Sequence, residues 1–283
     1  MPTLPSTTRA LTISTFDWRL DPLAESCDLR DLTFLDAYGL VGIASALRAG
    51  LNDSPDLEVR LPVNERTRAH LTAMGFAAFL HQHGLSPSVP DQGTADVSDV
   101  VVPLRSAQVA GGDQALSHLL WEQLRAHVDP QVLEAVTEGV WEIVANAFEH
   151  SGSDAQVMAQ VYRTNRGGQA PHHDDRVQVV VGDIGRGVHG SFQATGVRKP
   201  TDELEAIHLA LEYLVTSVPD DPGRGQGLST TMEQVLRLEG RMIVRSGDAL
   251  VAIDQGGREG RRVAHIPGVI VALSLPLYPG EYR

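Results

Sequence analysis

Residues 141–150 read WEIVANAFEH. Ile143, Val144, Ala147 and Phe148 make the stretch apolar enough for burial, yet Glu142, Asn146 and His150 recur every four residues through it. On an α-helix that spacing advances about 40° per step, so the three polar side chains share one face. Burying a carboxylate, amide or imidazole without a partner costs on the order of 1–3 kcal/mol or more. The face is therefore either a solvated stripe or a floor on which something polar docks.

Working outward, the helix that holds this stretch starts at Asp129 with Pro130 in its first turn and stops at Ser151-Gly152. DQALSHLLWEQLRAHV precedes it as another helix. After it come strands at AQVMAQVYR and RVQVVVGD, a helix at TDELEAIHLALEYLV, a glycine-rich turn GRGQG and a helix at LSTTMEQVLRLEG. RMIVRSG, ALVAID and GVIVALSLP read as three closing strands. The expected architecture is a helical layer on a mixed sheet.

Two further motifs lie in this half. In VVVGDIGRGV a hydrophobic strand runs into Asp183, followed by Gly185 and Gly187. A strand-end carboxylate can accept a hydrogen bond from a ligand amine while the glycines let the backbone approach closely; a tight turn with Asp is the plainer reading. GRGQGL, residues 223–228, stands directly before a helix, where glycine N–H groups and the helix N-terminus can face phosphate oxygens. It is not a Walker A loop, which needs a Lys the stretch lacks.

Residues 11–104 alternate between strand-like and helical runs, the signature of a small α/β unit. LTISTFDWRL, DLTFLD, LEVRLPV and SDVVVPL read as strands. AYGLVGIASALRAGL reads as a helix, and NERTRAHLTAMGFAAFLHQHG as one helix capped by Asn64 and stopped at Gly84. Ser86–Asp99 is a loop by composition, and a domain boundary is expected between 104 and 105, dividing the chain into 1–104 and 105–283.

The 283-residue chain is 42% hydrophobic with a formal net charge of −13 and no basic run, which disfavours a nucleic-acid partner. The lone Cys27 cannot form an internal disulfide and suits a reducing cytosol. The N-terminus has no charged start with an apolar run, and no apolar run is long enough for a bilayer span. A cytoplasmic protein without membrane association is expected. HQH at 81–83 reads as surface histidines. PHHDD at 171–175 has ligand-like residues, but its place between two strands reads as a solvated hairpin loop.

In their order, the three motifs resemble the Bergerat fold of the gyrase, heat-shock chaperone, histidine kinase and MutL (GHKL) superfamily. Glu142-IVA-Asn146-AFE-His150 is similar to its N box. Asp183-I-Gly185-R-Gly187 is similar to its first glycine box, and Gly223-Arg224-Gly225-Gln226-Gly227-Leu228 to its second. The resemblance covers roughly residues 110–277 and includes the anti-sigma-factor serine kinases. It implies an α/β chain of the α+β sandwich kind that binds ATP with Mg²⁺. Asn146 would ligate the metal, Glu142 would activate the attacking water or hydroxyl, and His150 would contact phosphate or cap the helix. Asp183 would accept the adenine amine, the two glycine boxes would line the nucleotide, and residues 189–222, with Arg198, Lys199 and Arg224, would form a lid. Where many relatives carry Gly-Thr, this chain has Gly268-Val269, so the hydroxyl that supports the adenine-binding Asp is missing. His118 is the nearest counterpart of a kinase phosphoacceptor, but no Pro follows it, and an ordinary helical His is the plainer reading.

DLRDLTFLDAYGLVGIASALRAG resembles a STAS domain (sulphate transporter and anti-sigma antagonist). The turn that carries a phosphorylatable Ser in regulatory members reads Asp36-Ala37-Tyr38-Gly39 here, without Ser, and a packed Tyr38 is expected. The resemblances imply Mg²⁺-dependent ATP hydrolysis or phosphoryl transfer to a protein Ser/Thr in a bacterial regulatory system, with a protein partner. The alternative is an ATP-gated interaction switch whose STAS-like half is a docking surface. Relatives often pair, which leaves a homodimer open.

Overall fold

The computed structural model describes residues 10–12, 26–53, 57–87, 100–107, 112–151, 154–164, 172, 174–196, 198–212 and 227–280. Among these, the largest sheet holds β5 (Val100–Ala107), β6 (Ala155–Tyr162), β7 (Arg176–Gly182), β8 (Arg241–Asp254) and β9 (Gly257–Pro276), in the order β5-β6-β7-β9-β8. Every neighbouring pair is antiparallel, which corrects the expected mixed sheet. Chain neighbours such as β8 and β9 are joined by the two-residue turn Gln255-Gly256, too short for the crossover a parallel pair needs. RMIVRSG and ALVAID, read as two strands, are one: β8 runs through both, with register shifts around Gly247, whose φ is +53°.

Side chains alternate along the strands, interrupted at the register shifts in β5 and β8, so the sheet has two faces. Val157, Val179, Val181, Val244 and Val271 point to one face, where α4 (Gly112–Leu124), α5 (Pro130–Ser151), α7 (Glu203–Ala210) and α8 (Gly227–Arg237) build the larger core. Met158, Val180, Ile243, Ile270 and Ala272 point to the other. That face is covered by the N-terminal segment, above all by α1 (Ala37–Asp53), whose Val41, Ala44 and Leu47 join the same core. The molecule is thus layered helix–sheet–helix around one sheet.

Two short parallel pairs complete the N-terminal layer: β1 (Ala10–Leu11) with β3 (Phe34–Leu35), and β2 (Ser26–Asp28) with β4 (Glu58–Arg60). Most of LTISTFDWRL lies outside the described residues. The single helix expected over 64–84 is two, α2 (Glu65–Ala73) and α3 (Phe76–Gln82). Asn64 does cap the first, its Oδ1 accepting the Thr67 N–H at 3.0 Å. The break falls at Gly75, whose φ of +89° no helix tolerates and where a Cβ would stand 3.0 Å from the Leu104 backbone. There the Leu104 N–H donates to the Met74 carbonyl at 2.8 Å, tying β5 to the N-terminal layer.

Of the stretch SDVVVPL, read as part of the N-terminal unit, residues 100–104 belong to β5, so position 104/105 falls inside a strand of the large sheet. Register irregularities let β5 serve both faces, with Val102 in the larger core and Leu104 in the N-terminal one. No described helix is long and apolar enough to cross a membrane.

Candidate functional site

α5 is positioned by its apolar side. Val136, Val140, Ile143, Val144 and Ala147 are buried in the larger core, and Asp129 holds the start through an Oδ1 that accepts the Gln131 N–H at 2.8 Å. Glu142 and Asn146 sit beside that buried stripe and are half-buried. They are therefore neither in the core nor on a fully solvated face. The His150 side chain lies outside the described residues.

α8 crosses α5 closely. At Gly139 a Cβ would stand 2.8 Å from Thr231 Cγ2 and 3.2 Å from Leu273 Cδ1. At Gly227 it would overlap Glu142 Oε2 and lie 2.9 Å from its Cδ. The sequence separates the first and third motifs by some 80 residues, and the fold brings Glu142 against the first residue of α8. The missing side chain at Gly227 makes room for the carboxylate, and a helix N-terminus favours negative charge there. Leu228 is half-buried and packs on the larger core. Gly223, Arg224, Gly225 and Gln226 lie outside the described residues.

Asp183 follows the last residue of β7 and continues the side-chain alternation of Val179 and Val181, so it belongs to the same face as α5. Its N–H donates to the Val269 carbonyl at 2.9 Å, and its Oδ1 accepts the Gly185 N–H at 2.7 Å. Only 7% of Asp183 is exposed, and burial pushes its carboxyl up to about 6, opposed by N–H donation from Gly185 and Val269. β9 closes over it at Gly268, where φ is +77° and a Cβ would overlap the Asp183 carbonyl. Val269 is half-buried and packs on the larger core.

Gly187 opens α6 (Gly187–Thr195) with a φ of +75°, and a Cβ there would stand 2.9 Å from Ser246 Oγ and 3.1 Å from Glu203 Oε1. Sequence reasoning passed over both partners. Ser246 is fully buried on β8; its signal was a polar residue before the glycine that interrupts RMIVRSG. Glu203 lies inside the helical run TDELEAIHLALEYLV, with no local pattern to set it apart.

The lid expected over 189–222 is in part a packed element. α6 and α7 occupy its first half; Ala206 is buried, and Ile207 and Leu211 are buried in the larger core. Asp202 caps α7 through the Glu205 N–H at 2.9 Å. Apolar periodicity in ELEAIHLALEYL supplies the burial that a mobile cover would lack. Arg198 and Lys199 are exposed. Residues 213–222 lie outside the described residues.

Among the described residues no three His, Cys, Asp or Glu side chains gather as a metal cage. The described part of PHHDD is a turn closure: Asp175 accepts N–H bonds from Thr164 at 2.8 Å and His172 at 3.0 Å. A cavity of about 330 Å³ lined by Arg30, Glu58, Arg60 and Arg68 belongs to the N-terminal layer, where Asp28 and Glu58 pair Arg30 and Arg60.

No family model matches the chain, and neither does any curated protein. The chemistry is therefore read from the site. It offers a half-buried carboxylate against a helix N-terminus, an amide one turn along, and a buried carboxyl at a strand end flanked by glycines.

Proposed function

We propose that this chain binds an adenine nucleotide with Mg²⁺ on the α5 side of the sheet and hydrolyses it or transfers its terminal phosphoryl group to a protein Ser/Thr. The observation that carries the reading is the meeting of Glu142 with Gly227, two residues from separate motifs whose contact depends on the missing side chain. Asp183 supports it, since a buried acceptor at a glycine-flanked strand end suits an exocyclic amine.

The donor set fits a Mg²⁺ ion held mostly by phosphate oxygens and water. Asn146 offers one hard, neutral amide oxygen, and that ion seldom uses an all-protein cage. When bound, the ion would neutralise charge on the phosphates. Glu142 takes a proton from the attacking water or hydroxyl. The new O–P bond forms at the γ-phosphorus as the bond to the β–γ bridging oxygen breaks, and ADP leaves. Asp183, ionised, accepts the base amine.

The N-terminal layer is not the substrate in this reading. Asp36 and Tyr38 are buried, and Tyr38 packs beside Arg245 on the sheet face opposite α5. The Asp36-Ala37-Tyr38-Gly39 segment, where α1 begins, lies on the sheet face opposite α5, so in this reading the phosphoacceptor of a transfer reaction is sought elsewhere. The test incubates the protein with Mg²⁺ and γ-labelled ATP beside Glu142→Ala and Asn146→Ala. Turnover in the wild type, with Glu142→Ala retaining nucleotide but not turning it over, supports the enzyme. Retention without turnover in the wild type moves the reading to an ATP-gated switch. No retained nucleotide at millimolar concentration refutes both.

A further inference from the structure

Asp183, Val269 and Ser246 stand in one row across β7, β9 and β8. The Asp183 N–H bonds the Val269 carbonyl, and Val269 pairs in register with Ser246. Ser246 is fully buried and makes two hydrogen bonds. Its Oγ accepts the Val188 N–H at 2.8 Å and donates to Glu203 Oε2 at 2.8 Å. The same Glu203 oxygen accepts the His189 N–H at 3.3 Å. Glu203 is wedged between two glycines in the left-handed region: Cβ atoms would stand 3.1 Å from its Oε1 at Gly187 and 2.8 Å from its Cγ at Gly247. The next residue back, Asp202, pairs with Arg262, which also holds Asp248 at 2.6 Å.

The carboxylate thus sits in a slot shaped for it. The N–H that Ser246 accepts, from Val188, and the one that Glu203 accepts, from His189, both belong to the first turn of α6, immediately after Asp183-I-Gly185-R-Gly187. A serine and a glutamate from distant segments hold the far end of the turn that begins at Asp183.

We propose that Ser246 and Glu203 are positioning residues of the nucleotide site: they clamp the 183–187 turn so that the Asp183 carboxyl and the glycine N–H groups are preset for the ligand. The inference rests on the nucleotide reading above, but half of its test does not. Amide hydrogen exchange at Val188 and His189, in protein free of nucleotide, reads the clamp directly. MgADP titration, beside a thermal melt, reads its use. Ser246→Ala should speed exchange at both amides and weaken MgADP about tenfold, the effect of losing one hydrogen bond and orphaning an N–H. Glu203→Ala should do the same, and the double variant no worse than either alone, because the two act as one unit. Glu203→Gln keeps an acceptor for Ser246 and should hold MgADP within about threefold of wild type, a rescue that loss of packing alone would not give.

Unchanged MgADP affinity in Ser246→Ala, or Glu203→Gln as weak as Glu203→Ala, overturns the proposal while leaving the nucleotide reading intact. If exchange responds but the wild type takes no MgADP, the nucleotide reading itself fails and the clamp holds the fold for another purpose.

Discussion

The two faces of the central sheet are covered by different means. On the α5 side, valines from all five strands meet apolar helix stripes; the buried polar residues there are small hydroxyls, Ser229, Thr231 and Ser246, and the carboxylates and amide of the site stand at the edge of the apolar stripe. On the N-terminal side, Gln156, Gln160, Gln178 and Arg245 are buried on the sheet itself. Several of their polar atoms are matched nearby: Gln156 Oε1 accepts the Ser106 hydroxyl at 3.1 Å, whereas its Nε2 meets no acceptor among the described residues. The Tyr162 hydroxyl accepts the Ala37 N–H at 3.1 Å and lies 2.8 Å from Gln160 Oε1, while Arg245 donates to the Ala264 carbonyl at 2.5 Å. An apolar face accepts any well-shaped cover. A face with a buried guanidinium and glutamines accepts only one whose hydrogen-bonding groups match, so the N-terminal layer is docked in a specific register.

The contrast can be broken most forcefully at Arg245. Arg245→Ala removes the charge and leaves buried acceptors unmatched, at an expected loss of about 3–5 kcal/mol by urea denaturation. Arg245→Met keeps the volume and should lose much less. Equal losses would mean that shape alone holds this face.

Next come the close approaches. At Gly182 a Cβ would stand 2.7 Å from Val41 Cγ1 and 2.9 Å from Ser45 Oγ, and at Gly139 2.8 Å from Thr231 Cγ2. Gly182→Ala and Gly139→Ala should each cost about 1–3 kcal/mol by overpacking. A neutral Gly182→Ala would show that α1 sits loosely.

Asp183 sharpens the view of the rim. Its carboxyl is raised to about 6 from 3.8, so the native state holds a proton that the unfolded state releases, and stability falls as pH rises from about 4 to about 6. Above that window Asp183→Asn should gain about 3 kcal/mol, and below pH 4 nothing. The same variant should lose nucleotide, and wild-type affinity should tighten as pH rises through 6 if the ionised form accepts the base amine. A pH-independent difference in denaturation midpoint would refute the burial effect.

The smallest expected effect concerns Cys27. Burial pushes its thiol up to about 12, so a thiol reagent at pH 8 should label it only at the rate of opening. Fast labelling would show that the cover breathes.

Much of the α5 side was legible. α5, β6, β7 and α8 lie where periodicity and capping put them: each helix buries one apolar stripe, and the two strands are runs buried on both faces. The N-terminal cover was not. Gln156, Gln160 and Gln178 alternate with apolar residues as on a half-solvated strand, and only a partner distant in sequence reveals that they are buried. The split at Gly75 and the sharing of β5 by both layers come from the same long-range contacts. In the site, motif spacing pointed to Glu142, Asn146 and Asp183, whereas Ser246 and Glu203 act through tertiary contacts that no local pattern encodes.

One contact also sets a timetable. The Ala37 N–H waits for a hydroxyl 125 residues downstream. At about 5–20 residues per second of synthesis, Ala37 is made some 6–25 s before Tyr162, and longer still before β7 and β9 are complete. During that interval the apolar face of α1 has no destination within the nascent chain, and holding it off other surfaces falls to the chaperones that attend translation.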